Sequence, residues 1–160
     1  MSKSMMRILT LASVALLLVF GLKTLISHAQ AAPTSQKDVL SSQEYKTVEG
    51  IQDESSKTKQ LTDEQLATLA SDIHSQSMLV RLQTLVALRH AAPKQAQAAL
   101  AVARKGFASP DGMTRSYALT TLDSLDAPDT VLVAKSLLTD RSRYVTAEAH
   151  QILTKRGVEK

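Results

Sequence analysis

The apolar residues fall into three regimes along the chain. A nearly unbroken run spans Ile8 to Phe20, a stretch from Pro33 to about Gln60 scatters its apolar residues among Ser, Thr, Gln, Lys, Asp and Glu, and from Thr62 onward they recur at helical spacing. In the third regime the chain aligns with itself. With Arg81, Arg115 and Thr146 taken as equivalent, 34 and then 31 residues apart, three polar turns fall into register: Ser75 and Ser77, Ser109 and Asp111, Asp140 and Ser142. Before each turn runs one apolar stripe, made by Leu66, Leu69 and Ile73, then Leu100, Ala103 and Phe107, then Val131, Ala134 and Leu138. After each turn runs another, carrying Leu85 and Leu88, Leu119 and Leu122, and finally His150 and Leu153. Periods of this length mark helix pairs that each need a neighbour to bury their apolar faces.

The pattern predicts a leading helix over Thr62–Ile73, helices over Met78–Ala91 and Pro93–Lys105, over Met113–Leu125 and Pro128–Leu138, and a last one over Tyr144–Lys155. Ala92-Pro93 and Ala127-Pro128 write the corner between helices twice, since proline ends one helix and suits the first turn of the next. Ser77, Asp111 and Ser142 stand where a side chain caps the following helix. The repeat region is therefore 62–156, and no strand signal interrupts it.

Residues 1–31 read as an export segment. Lys3 and Arg7 precede the apolar run, and small residues lead to Ala29-Gln30-Ala31, the order of a signal peptide cleaved after Ala31. An uncleaved anchor is the other reading. Ile8 to Ile26 is 19 residues, roughly 28 Å of helix against a hydrocarbon core of about 30 Å. Both readings place the repeat region outside the cytoplasm, periplasmic or secreted if cleaved and membrane-anchored if not, because Lys3 and Arg7 hold the N-terminus inside. Residues 32–61 read as a disordered polar linker, with a short helix through Val39, Leu40, Tyr45, Val48 and Ile51 that folds onto a partner as the alternative.

Charge and composition serve mainly to exclude. Three of the 19 basic residues, Lys3, Arg7 and Lys23, lie in the export segment, so the remainder carries 16 against 15 acidic residues, a net charge of +1. A near-neutral remainder whose aromatics are Tyr45, Phe107, Tyr117 and Tyr144 lacks both the basic footprint and the stacking platform of a nucleic-acid binder. The chain has no cysteine, which removes disulfides, thiolate metal sites and cysteine nucleophiles together. His28, His74, His90 and His150 have no metal-ligand spacing. No phosphate loop or nucleophile elbow is present, so the sequence predicts neither an enzyme nor a cofactor or metal site.

The polar turn, followed by Val80-Arg81 with Leu88, by Thr114-Arg115 with Ala118 and Leu122, and by Val145 with Ala149 and Leu153, resembles the HEAT-like repeats first described in phycobilisome lyases. The resemblance covers about 95 of 160 residues. It implies an all-α fold, a short right-handed α–α superhelix of about two and a half helix pairs, preceded here by an apolar N-terminal helix and a flexible linker. It also implies a protein-binding scaffold; a lyase-like or chaperone-type accessory subunit, or a structural envelope protein, is the alternative. Ser75 and Ser109 replace the leading turn acid and Thr146 the third arginine, so the Asp–Arg ladder shared by such repeats is expected to be broken, with Asp111 pairing locally to Arg115.

In such stacks the second helix of each pair lines the concave side, which nominates Ala98, Ala101, Lys105, Asp129, Leu132 and Ser136 as partner contacts. So short a stack should also leave an end uncovered, and Val145, His150 and Ile152 on the last helix are the expected docking edge for another chain or a second copy.

Overall fold

The computed structural model describes residues 36–159. Among them the chain forms eight α-helices and no strand. These are α1 (Gln36–Ser41), α2 (Gln43–Thr58), α3 (Asp63–Asp72), α4 (Met78–Leu88), α5 (Ala96–Lys105), α6 (Gly112–Ser124), α7 (Thr130–Leu137) and α8 (Arg143–Lys155). Short 3-10 turns at Pro93–Gln95 and Gly106–Ala108 flank α5. The export segment lies outside the described residues, and no described helix is long and apolar enough to cross a membrane.

The six helices expected from the periodicity are present, and their ends have local causes. Thr62 caps α3 through a reciprocal box, its hydroxyl accepting from the Gln65 amide while Gln65 Oε1 accepts from the Thr62 amide. Ser77 and Asp111 cap α4 and α6 with their side chains, but Ser142 makes no such bond to α8. Pro93 opens a 3-10 turn before α5 rather than its first α-helical turn, so α5 begins at Ala96.

The contacts group these helices differently from the sequence reading. Each of α3, α5 and α7 packs chiefly on the helix after its polar turn, giving pairs α3/α4, α5/α6 and α7/α8. The proline corners, read as the inside of a pair, instead join successive pairs. Side by side, α2, α4, α6 and α8 pack extensively each on the next, whereas α3, α5 and α7 scarcely touch one another.

The linker expected over 32–61 is corrected by α1 and α2. Ser42 caps α2, Lys59 closes it in a left-handed conformation with its amide bonded to the Ser55 carbonyl, and Val48, Ile51 and Ser55 are buried. Half-buried Tyr45 joins this stripe and its hydroxyl accepts from Gln83 Nε2 of α4. A helix with a neighbour on one side needs only this narrow stripe, so its composition stays polar. The segment folds onto its own chain rather than being left for a partner.

The C-terminal helix is corrected too. Val145 and Ile152, expected to be uncovered, are buried, Ile152 in a cluster with Leu119, Ala134, Ala149 and Leu153. Helix α8 ends in a Schellman turn, in which Gly157 takes φ 72° and the Val158 and Gly157 amides donate to the Leu153 and Thr154 carbonyls. Lys155 and Arg156 then reach Asp123 of α6 at 2.6 and 2.7 Å.

Leu85 and Leu122, from successive pairs, are fully buried in one cluster that runs from Val48 to Ala127. Replacing either by alanine should cost about 2–5 kcal/mol, read as a lowered midpoint of chemical unfolding, and an unchanged midpoint would refute the register. Gly112→Ala should also destabilise, because a Cβ at this position would overlap the Ser142 side chain of the next turn.

Candidate functional site

The repeated arginines are the best-defined polar feature. Arg115 donates from Nη1 to the Ser109 and Pro110 carbonyls of its own turn, and from Nε and Nη2 to both carboxylate oxygens of Asp140 in the next, at 2.9 and 2.7 Å. Arg81 repeats the gesture, donating to the Ser75 carbonyl and, at 2.5 Å, to Asp111 Oδ2. The ladder expected to be broken is thus formed across two intervals. Asp111 serves Arg81 of the preceding turn and not Arg115 as expected. The acid stands four residues before the repeat position in one turn and six before it in the other, yet both carboxylates meet the incoming guanidinium. Thr146, in the third arginine position, ends the series.

Burial works against ionisation of Asp111, but hydrogen bonds from the Thr114 amide, Arg81, Ser109 and the Thr114 hydroxyl outweigh it and hold the carboxyl down at about 2. The Arg115 hydrogen bonds hold Asp140 below the ordinary carboxylate value as well. At Asp123 burial again opposes ionisation, and the bonds from Lys155 and Arg156 prevail.

The nominated contact residues separate into three groups. Ala98, Ala101 and Lys105 on α5, with Leu132 and Ser136 on α7, are exposed, and Asp129 is engaged by Arg104 at 2.8 Å. Lys105 also lines a cleft of about 460 Å³ with His74, Arg81 and Pro110. Val145 and Ile152 are 0% and 2% exposed, which rules them out as contacts. His150 is exposed as expected of a terminal helix, with Nδ1 2.9 Å from Glu159 Oε2. Among the described residues no group of three or more His, Asp or Glu side chains is arranged to hold a metal ion.

A different face, formed by α2, α4, α6 and α8, was missed in the sequence. On α4, Val80, Thr84, Leu85, Ala87 and Leu88 take the buried side. Leu79, Leu82 and Val86, spaced at i, i+3 and i+7, form a second apolar stripe that is only half-buried and belongs to neither core cluster. Met113 and Tyr117 continue it onto α6. Two tyrosines reach α4, Tyr45 through Gln83 and Tyr117 beneath the Arg89 guanidinium at 5.5 Å, while Tyr144, 49% exposed, stands on α8 with Glu148 and Gln151. An α4 apolar on two sides was the available signal, because a helix with only one buried side needs one stripe.

No protein-family model, curated protein or solved structure matches this chain.

Arg115→Ala removes one member of a pair whose side chains are 8% and 10% exposed, and should destabilise by about 3–5 kcal/mol in chemical unfolding. The pH dependence has a definite sign. Asp111 titrates at about 2 when folded against an ordinary value of 3.8, so its contribution is complete above about pH 4 and is lost as pH falls toward 2. Unfolding midpoints should fall over that interval, and less steeply in Asp111→Asn.

Proposed function

We propose that this chain is a non-catalytic protein-binding scaffold, a short right-handed α–α superhelix of HEAT-like type held outside the cytoplasm behind residues 1–31. The observation that carries this reading is the face of α2, α4, α6 and α8, where a half-buried apolar stripe on α4 is flanked by Tyr45, bonded to Gln83, and by Tyr117, under the Arg89 guanidinium. Tyrosine provides a broad apolar surface and a hydrogen-bonding tip with few rotatable bonds, which is why it is enriched among residues that dominate protein–protein interfaces. The superhelical reading draws on the Arg81–Asp111 and Arg115–Asp140 pairs, which repeat one contact between successive turns. It draws equally on the unequal rows. A stack whose helices pack closely in one row and splay in the other curves toward the close row, so the concave side is formed by α2, α4, α6 and α8. The exposed residues of α5 and α7 then lie on the convex side.

A photo-crosslinking amino acid placed at Leu82 in the native cell should capture a discrete protein, while one at Ala98 on the opposite row should not. Capture from Ala98 alone would reverse the assignment of the binding face, and capture from neither position would remove the scaffold reading. Mass spectrometry of the same preparation reads the mature N-terminus: a form starting at Ala32 or an intact anchor accords with export, and an unprocessed cytoplasmic chain refutes it.

A further inference from the structure

The apolar stripe of α4 ends on a cation. Arg89 stands three residues beyond Val86, continuing the line of Leu79, Leu82 and Val86. Its guanidinium is half-buried, lies over the Tyr117 ring at 5.5 Å and donates from Nε to Thr121 Oγ1 at 3.3 Å. Among the described residues it has no carboxylate within ion-pair distance, although Arg81, Arg104, Arg115 and Arg156 each have one. Burial lowers its pKa, opposed by Tyr117 and by Glu148 of α8. The neighbouring His90 has its pKa lowered by burial first and then by the positive fields of Lys59 and Arg89. Glu148 is thus the one acid that registers against this basic corner, and it does so from beyond ion-pair contact.

A half-buried guanidinium over an aromatic ring, with one hydroxyl acceptor and no carboxylate, keeps unused donors, and a planar carboxylate is the group its fork fits best. Three apolar side chains at i, i+3 and i+7 are likewise the complement of another amphipathic helix. Both features lie on one line of one helix.

We propose that this face seats an amphipathic helical segment of a partner protein, whose apolar side chains pack on Leu79, Leu82 and Val86 while a carboxylate at the end of its apolar stripe pairs with Arg89. The inference rests on the scaffold reading and adds the chemistry of the partner. Arg89 sets orientation and selectivity, because a helix laid in the reverse sense would carry its acid away from the basic corner, and a basic segment would meet repulsion from Arg89 and Lys59.

The test is selection from a displayed library of amphipathic helical peptides, randomised for acidic, neutral or basic residues at each end, against the immobilised full-length chain in mild detergent. Peptides should be enriched with apolar residues at helical spacing and Asp or Glu at one end. Replacing that acid by its amide should weaken binding about tenfold on the wild-type chain, have little effect on an Arg89→Gln chain, and keep part of its effect on Arg89→Lys. Circular dichroism melting of each variant ensures that only folded chains are compared. Enriched peptides without an acidic preference, or an acid-to-amide loss equal on wild type and Arg89→Gln, would overturn the carboxylate pairing and leave the scaffold reading standing. Enrichment of phosphorylated over carboxylate-bearing peptides would overturn it as well. If no enriched peptide loses binding on a folded Leu82→Asp chain, or if this face instead joins two copies of the chain, the proposal and its peptide partner fall together.

Discussion

Arg115 sits between two turns, donating at one end to carbonyls of its own turn and at the other to both oxygens of Asp140 in the next. Because the fork is planar and its side chain is 8% exposed, the separation of the two turns is set by guanidinium geometry rather than by apolar contact alone. Apolar packing tolerates sliding, whereas a buried bidentate pair does not. The same bridge from Arg81 to Asp111 places the preceding turn. Gly112 follows from it, since turns drawn this close leave no room for a Cβ beside Ser142. The register of α4 against α6, and of α6 against α8, thus traces to two arginines.

Much of this order was legible in the sequence because it is local. Helix positions followed from stripes such as Leu66, Leu69 and Ile73, and caps such as Ser77 and Asp111 stood where the turn needs them. What was illegible depends on neighbours. The carboxylate that meets an arginine is chosen in space, so an acid moved two residues along the turn hid a ladder that forms regardless. Helix α2 was hidden for a related reason: Val48, Ile51 and Ser55 are too sparse a stripe to declare a helix until α4 is present to cover them. The exposure foreseen for Ile152 failed because Leu119 of α6 and Ala134 of α7 share its buried cluster.

The candidate face shows the same division. Leu79, Leu82 and Val86 are plain in the sequence as apolar residues, and nothing local distinguishes them from Val80, Leu85 and Leu88 on the same helix. Only the placement of α2 and α6 on either side of α4, with α3 and α5 beneath, shows which set is left facing outward. Tyr45 and Tyr117 lie far apart in the chain and both reach α4 because α2 and α6 are its neighbours.

Thr146 occupies the place where a third guanidinium would stand, and its hydroxyl donates instead to the Arg143 carbonyl within its own helix. The Arg–Asp contact is therefore not repeated a third time among the described residues. A copied helix pair spliced on behind α8 would bring its acidic turn to a position that offers no cation, and it would meet the polar flank of α8 in place of an apolar one. An arginine at 146 is the change that would let a further acidic turn be held as Asp111 and Asp140 are.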